Sequence, residues 1–461
     1  MTAFDHIRTI VAQHRHRQSL PNPYRDELGA LLWPRITHAP SGREILFDSE
    51  MVAALEDLAD CLRTDAPNLE RSVGYDEWLA LVREKVAYAL DASDPDADLD
   101  VTACHVLEDV SSSLVLSTAR LGLFEFPFGC TLFAGVVLRP ICLGPVRFET
   151  RQDWLERKFA EGAVSDLTRR RVLRAWEGQT LRKRMRSKDT GQEKAILGLS
   201  RDAPFVCSVG TNGMAHEFGR QRARTAARLA LAAIALMWRR TSRVLNGMNL
   251  VDDRVVHNLH EITFHDSRLA SWGVRNLHMP GGHGLNAEKW ASLQRDFADH
   301  FAVVGDLLKS IVDVITPPKR PNMTHALTHA LLWFHQGCRE DQPVIAITNF
   351  AATLDCLACG SYQEGIRDLI KARLGHDSKA SLWLRGGQTV DKAVEEIYDH
   401  ARTATMHGRK DRKGKLDSKP FHDWSPGRDR AEALTRICLL ACIDWTAQHP
   451  DCDNPASWRT T

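Results

Sequence analysis

The stretch "VEEIYDHARTATMHGRKDRKGK", residues 394–415, sets the reading of the chain around it. Val394, Ile397, Tyr398, Ala401 and Thr405 recur at three- and four-residue intervals, which predicts an amphipathic helix with one buried stripe. Gly408 stands just past the last of these positions, where a left-handed C-terminal cap is expected. Arg402 and His407 lie near that end, and a run of bases follows. Two readings are open at this level: a helix terminus with a solvated tail, or a site that cuts phosphodiester bonds.

Helix geometry constrains the second reading. Five positions along an ideal helix put Arg402 and His407 roughly 140° apart and about 7.5 Å along the axis. They cannot grip one phosphate if the helix stays regular and acts alone. They converge if Gly408 lets the last turn unwind, or if two copies of the segment meet across a two-fold axis. The side chains suit RNA. A histidine of near-neutral pKa takes the proton of a 2′-hydroxyl or gives one to the leaving 5′-oxygen, and a helix C-terminus favours its charged form. A guanidinium stabilises the charge that builds on five-coordinate phosphorus. The substrate's own hydroxyl is the nucleophile, so the chemistry needs no metal or cofactor, and the segment holds no carboxylate cluster of the Mg²⁺-binding kind.

Outward from this segment the C-terminal third reads as helix throughout. "THALTHALLWFHQGC" puts Leu327, Ala330, Leu331 and Phe334 on one stripe. "VIAITNFAATLDCLACG" runs about four turns to Gly360, and "GIRDLIKARLG" also ends in glycine. "GRDRAEALTRICLLACIDWTAQHP" supplies a last amphipathic helix. The sum is a bundle of about five helices over residues 319–461, set off by the three prolines of "VITPPKRPNMTH". Residues 1–318 form a second part. It opens with helices such as "SEMVAALEDLADCL". The acidic stretch "DASDPDADLD" (91–100) reads as a solvated linker, so a further split near residue 100 is open. From about 101 to 150 the pattern changes, and "LGLFEFPFGCTLFAGVVLRPICLGPVRFE" predicts several short strands. "APFVCSVG" and "HEITFHDSRLASWGV" predict more strands around a long helix from 215 to 244. The fold class is therefore mainly α, with an α+β N-terminal region and a C-terminal helical bundle.

Composition narrows the setting. Lys plus Arg (60) nearly balances Asp plus Glu (59), so any anion-binding surface is a local patch. Eleven irregularly spaced cysteines and no apolar leader fit reduced thiols in a cytoplasm. The most apolar helical run, "LALAAIALMW", is about half a bilayer span, so no membrane segment is expected.

Two basic segments offer RNA contacts. Arg409, Lys410, Arg412, Lys413 and Lys415 follow the arginine–histidine pair directly, where they guide a phosphate backbone or form a solvated loop. "TRRRVLRAWEGQTLRKRMRSK" (168–188) has nine bases against one acid, among them Arg182, Lys183 and Arg184. Read as one helix, its arginines go nearly all round, so it is no core element; Trp176 could stack on a base, or the segment could be a solvated face or a partner-binding arm. A third group, Arg220, Arg222, Arg224 and Arg228, opens the long middle helix against its dipole, which points to a bound anion or an acidic partner. Cys356 and Cys359 share a C-x-x-C spacing but sit in an apolar helix and read, with Cys438 and Cys442, as packing. His257, His260, His265 and Asp266 cluster without a trusted metal spacing, and strand alternation would send them to different faces.

Three segments in order, "HALLWFHQGC", "ITNFAATLDCLA" and "IYDHARTATMHG", resemble the HEPN domains, and specifically their Apea-like branch, over about residues 322–450. Tyr398, Arg402, His407 and Gly408 match the Tyr-x-x-x-Arg…His-Gly signature of that family. The resemblance implies a homodimer joined through the C-terminal bundle and acting as a metal-independent endoribonuclease. It makes Arg402 and His407 the catalytic pair, with Tyr398 and Thr403 as supports. It further implies RNA as substrate, a protein or phage-derived trigger bound by the N-terminal part, and a role in antiphage defence or a toxin-type system. Nuclease-active members place Asn, Asp or His after the arginine, whereas this chain has Thr403. Members without catalysis serve as RNA-binding or dimerising scaffolds, which is the alternative for this chain.

Overall fold

The computed structural model describes residues 1–20, 35–66, 68–118, 121–132, 140–183, 185–200, 203–253, 257–265, 268–277, 286–382, 388–398 and 424–460. Helices dominate, so the protein is mainly α, and among the described residues the strands lie in the N-terminal three-fifths. Contacts divide the chain into two compact units. One comprises residues 1–124, 211–222 and 313–315, and the other comprises 125–210, 223–312 and 316–461.

The first unit is built on α1 (Ala3–Ser19), α2 (Ser49–Thr64), α3 (Asn68–Ser72), α4 (Tyr75–Ala92) and α5 (Leu99–Thr118), with a two-stranded ribbon of β1 (Arg35–His38) and β2 (Glu44–Phe47). Local signals start the helices. Thr2 and Asp5 form a capping box on α1, and Asp48 caps α2 by accepting from Met51 N at 2.9 Å. Ile10, Phe47, Leu55, Val82, Val86, Val106 and Val110 share one core. The Trp78 indole, buried in it, donates to the Ala59 carbonyl at 2.9 Å. The acidic stretch 91–100 joins two helices of this core and is held against α1. Arg8 pairs with Asp100 at 2.5 Å, and Arg15 donates to the Asp94 carbonyl and, at 2.7 Å, to Thr102 Oγ1. The helix before it and the helix after it pack in one unit.

Of the stretch from about 101 to 150 expected to change to strands, residues up to 118 are the helix α5. Strands appear only beyond residue 120, mostly in the second unit, with 122–124 and 211–214 in the first. They are β3 (Gly122–Thr131), β4 (Ile141–Leu143), β5 (Val146–Thr150), β6 (Phe205–Met214) and β7 (Asn249–Leu250), in the sheet order β4-β5-β6-β3-β7. β5 pairs antiparallel with β4 (Ile141↔Phe148) and with β6 (Val146↔Val209). Around these lie α6 (Arg151–Ala160), α7 (Asp166–Trp176), α8 (Lys188–Leu199), α9 (His216–Ala235) and α10 (Thr241–Leu245). The helix expected from 215 to 244 is thus two helices with a break after Ala235. Strands β8 (His257–His265) and β9 (Arg268–Leu277) form a separate antiparallel hairpin.

The chain continues through α11 (Ala287–Asp296), α12 (Ala298–Val312), α13 (Pro321–Arg339), α14 (Pro343–Leu357), α15 (Tyr362–Leu374), α16 (Val390–Glu395) and α17 (Ser425–Gln448). α12 packs on α13 and α17, so helices on both sides of the proline-bearing stretch belong to one unit, a different grouping from a boundary at 318. Among the described residues no single helix is long and apolar enough to cross a membrane. The apolar pair α14 and α15 meets at 70°, and the apolar faces of both are buried in the fold.

Candidate functional site

The C-terminal bundle frames the ends of the arginine–histidine segment. α13 and α14 both begin on proline, whose fixed φ and missing N–H suit a first turn. Asp453 closes the start of α13 by accepting from Met323 N at 2.9 Å and Asn322 Nδ2 at 3.1 Å. The Phe334 and Phe350 rings meet between α13 and α14 with centroids 5.7 Å apart. α17 buries Leu434, Cys438, Leu439, Cys442 and Ile443 against them.

α16 enters this bundle from a Thr389 cap and is tied to α15 by Arg367, whose Nε donates to Asp391 Oδ1 at 2.7 Å. Val390, Ala393 and Val394 are buried, and the stripe continues through Ile397 and Tyr398. Regular helix ends at Glu395, and residues 396–398 wind into one wider π-type turn. Within that turn Glu396 accepts from Gln388 Nε2 at 2.5 Å and pairs with Arg430 on α17. Gly427 keeps the approach open, because a Cβ there would lie 3.1 Å from Glu396 Oε1. The described residues stop at Tyr398 and resume at Trp424, and the Glu396–Arg430 ion pair joins the two described ends.

Arg402, Thr403, His407, Arg409, Lys410, Arg412, Lys413 and Lys415 lie outside the described residues, as does Arg184. Tyr398 is placed on the buried stripe at the mouth of the segment. Arg182 and Lys183 are exposed in a non-helical stretch after α7. That stretch corrects the reading of 168–188 as one helix: Gly178, at φ +80°, stops α7 just after Trp176. Three of the four arginines of α7 are paired within the protein, and the fourth, Arg174, is exposed. Arg169 pairs with Glu156 at 2.8 Å, Arg170 with Asp166 at 2.7 Å and Arg171 with Glu193 at 2.7 Å. Trp176 is engaged too, donating to Ser200 Oγ at 3.0 Å with the Arg151 guanidinium 4.8 Å from its ring. On α9 the acidic-partner explanation fits Arg224 and Arg228, which pair with Asp252 and Asp253.

Of the four cysteines read as packing groups, Cys356, Cys438 and Cys442 are buried or partly buried, and Cys359 is exposed. Burial, with Asp355 and Cys359 nearby, pushes the Cys356 thiol up to about 11, and burial pushes Cys438 up to about 12. Cys359 is exposed in the turn after α14, at φ +54°. His260 and His265 are exposed on β8, while Asp266 lies outside the described residues. Among the described residues no group of three or more His, Cys, Asp or Glu is placed to hold a metal ion.

Two acids that matter to the bundle escaped the sequence reading. Glu396 forms the clasp. Glu432, 4% exposed on α17, accepts from Ser242 N at 2.9 Å and Ser242 Oγ at 2.6 Å, and so caps α10. Glu432 carried a signal: it stands in line with Thr435, Leu439 and Cys442 on the buried stripe, where an unpaired carboxylate would be costly.

No protein-family model matches the chain, and no curated protein or solved structure matches it.

Proposed function

We propose that the C-terminal third is a HEPN-like bundle and that the protein is a metal-independent endoribonuclease acting as a dimer in the cytoplasm. The observation that carries this reading is the order Tyr398, Arg402, His407, Gly408 in the sequence, between two helices of one bundle. The Glu396–Arg430 clasp supports it, since a catalytic loop needs fixed ends to position its groups. Eleven free thiols fit a reducing compartment.

In this mechanism His407 takes the proton of a ribose 2′-hydroxyl, whose oxygen attacks the adjacent phosphorus. Arg402 stabilises the added negative charge on the phosphoryl oxygens. The bond from phosphorus to the 5′-oxygen breaks, and that oxygen leaves with a proton from an imidazolium, giving a 2′,3′-cyclic phosphate and a 5′-hydroxyl. Tyr398 and Thr403 support the pair. Arg409, Lys410, Arg412, Lys413 and Lys415, with Arg182, Lys183 and Arg184, attract the RNA backbone. The N-terminal part binds a protein or phage-derived trigger, and the biological role is antiphage defence or toxin-type growth arrest.

A second reading is favoured by one residue. Thr403 stands where active relatives of this kind carry Asn, Asp or His, and it suits a non-catalytic RNA-binding or dimerising scaffold. Incubating the purified protein with end-labelled RNA in EDTA separates the two. The nuclease reading expects cyclic-phosphate ends that disappear in Arg402→Ala and His407→Ala. Retained RNA binding with no cleavage by the wild-type protein, with and without phage lysate as trigger, establishes the scaffold.

A further inference from the structure

The hairpin β8–β9 shows an apolar face to solvent. Ile262 stands opposite Trp272, Phe264 opposite Leu269, and His260 opposite Val274. Cross-strand partners and residues two apart share one side of a ribbon. The irregularity between Thr263 and Phe264 realigns the strands so that Leu269 joins that side. Ile262, Phe264, Leu269, Trp272 and Val274 therefore line one face, and they are 62%, 61%, 49%, 78% and 57% exposed. The other face carries Glu261, Thr263, His265, Arg268 and Ser271. A two-stranded ribbon by itself is marginal in water, and among the described residues this sheet has two strands.

We infer that this face is a homotypic interface, covered by the same hairpin of a second copy of the chain. Charge selects the occupant. The two strands hold two arginines and one glutamate, so they lack the surplus cations that a phosphate backbone or an anionic lipid surface requires. The face is apolar and nearly neutral, so its complement is apolar and nearly neutral as well, and the hairpin is its own complement. Area points the same way. Two aromatic and three aliphatic side chains bury roughly 500 Å² per copy, or about 1,000 Å² for the pair, which meets the lower bound for a weak, reversible self-association. Trp272 and Phe264 are the anchors expected at its centre. This contact is separate from any dimerisation through the C-terminal bundle and does not depend on the nuclease reading.

Sedimentation velocity of the full-length protein between about 1 and 100 μM, a range spanning typical weak-interface constants, tests the inference. The wild type shows an association step, and Phe264→Glu with Trp272→Glu weakens it by at least a hundredfold. Trp272→Phe keeps it. Both residues face solvent, so the far-UV circular dichroism stays that of a folded, mainly helical chain at concentrations where the wild type is monomeric. A wild type without any association step overturns the inference, as does an association step that survives unchanged in the double variant. Co-sedimentation of the wild type with anionic phosphatidylserine vesicles, abolished in the double variant with no change in self-association, assigns the face to lipid and overturns it too. RNA cleavage in EDTA is read in the same preparations and reports on the nuclease reading independently.

Discussion

Glu396 and Arg430 form an ion pair that joins the turn after α16 to the start of α17. The two residues flank residues 399–423, so one polar contact holds together the described chain on either side of that segment. Gln388 donates to the same carboxylate at 2.5 Å, which leaves Glu396 with two partners and little freedom to turn outward. Both side chains are partly exposed, so the pair contributes only modestly to global stability. Glu396→Ala is expected to lower stability by about 1 kcal/mol in urea unfolding. In the nuclease reading it lowers RNA cleavage far more than that figure would suggest, because it loosens both ends of the segment. Equal, small losses in the two measurements would deny the clasp a positioning role.

Gly337 on α13 packs face to face with Phe350 on α14. A Cβ at Gly337 would sit 2.7 Å from Phe350 Cε1, too close for any real contact. In an open helix, Gly→Ala gains up to about 1 kcal/mol. Here the added methyl must displace a fully buried ring, and overpacking costs roughly 1–3 kcal/mol. Gly337→Ala is therefore destabilising by about 1–2 kcal/mol net. Adding Phe350→Leu to Gly337→Ala recovers part of that loss, and a double-mutant cycle by thermal unfolding shows a positive coupling of the two changes.

His14 makes the first unit acid-sensitive. Burial, with Arg43 and Arg15 nearby, depresses its pKa from 6.5 to about 4. Its Nε2 lies 2.6 Å from Gln18 Nε2, a contact that suits a neutral ring accepting a proton and not an imidazolium. In the unfolded chain the ring binds a proton near pH 6.5, whereas in the folded chain it resists until about pH 4. Stability is thus fully present above pH 6.5 and falls as the pH drops through that window. By pH 4 the loss is on the order of 2–3 kcal/mol. Urea midpoints measured at pH 7 and pH 4.5 should differ in the wild type, and the difference should shrink in His14→Gln.

The elements that could be read from the sequence are those whose pattern is local. α13, α14 and α17 follow apolar stripes of the kind that any helix must bury, and their starting prolines mark the boundaries. The strand character of residues 260–274 followed from their β-branched and aromatic residues, though their pairing as a hairpin did not. α5 was harder, since "VSSSLVLST" is poor in helix formers, yet Val106, Val110 and Leu114 recur every fourth residue and packing overrides propensity. The split of the basic stretch 168–188 depended on a single glycine that reads equally well as an interior or a terminal residue. Contacts between distant residues left no local trace. Glu432 and Ser242 are 190 positions apart, and the partners of Arg224 and Arg228 lie beyond the end of α9. Such pairs are set by tertiary packing, which one sequence without relatives does not display.

Trp176, Arg182 and Lys183 belong to one basic stretch but have opposite expected roles. Trp176 is held on both sides, by Ser200 Oγ through its indole N–H and by Arg151 over its ring. A ring so engaged is a structural residue, so Trp176→Ala is expected to cost about 2 kcal/mol in stability and to leave RNA affinity unchanged under conditions where the protein is folded. Arg182 and Lys183 are exposed and extend into solvent beyond Gly178. If they contact phosphates, each neutralised charge releases counterions, so affinity falls with salt. Arg182→Ala with Lys183→Ala then leaves stability unchanged and reduces the slope of log affinity against log salt by roughly 1 per residue. Filter binding of a single-stranded RNA across a sodium chloride series measures that slope. A slope identical to the wild type's would remove both residues from the RNA-contacting surface and leave residues 409–415 as its basic element.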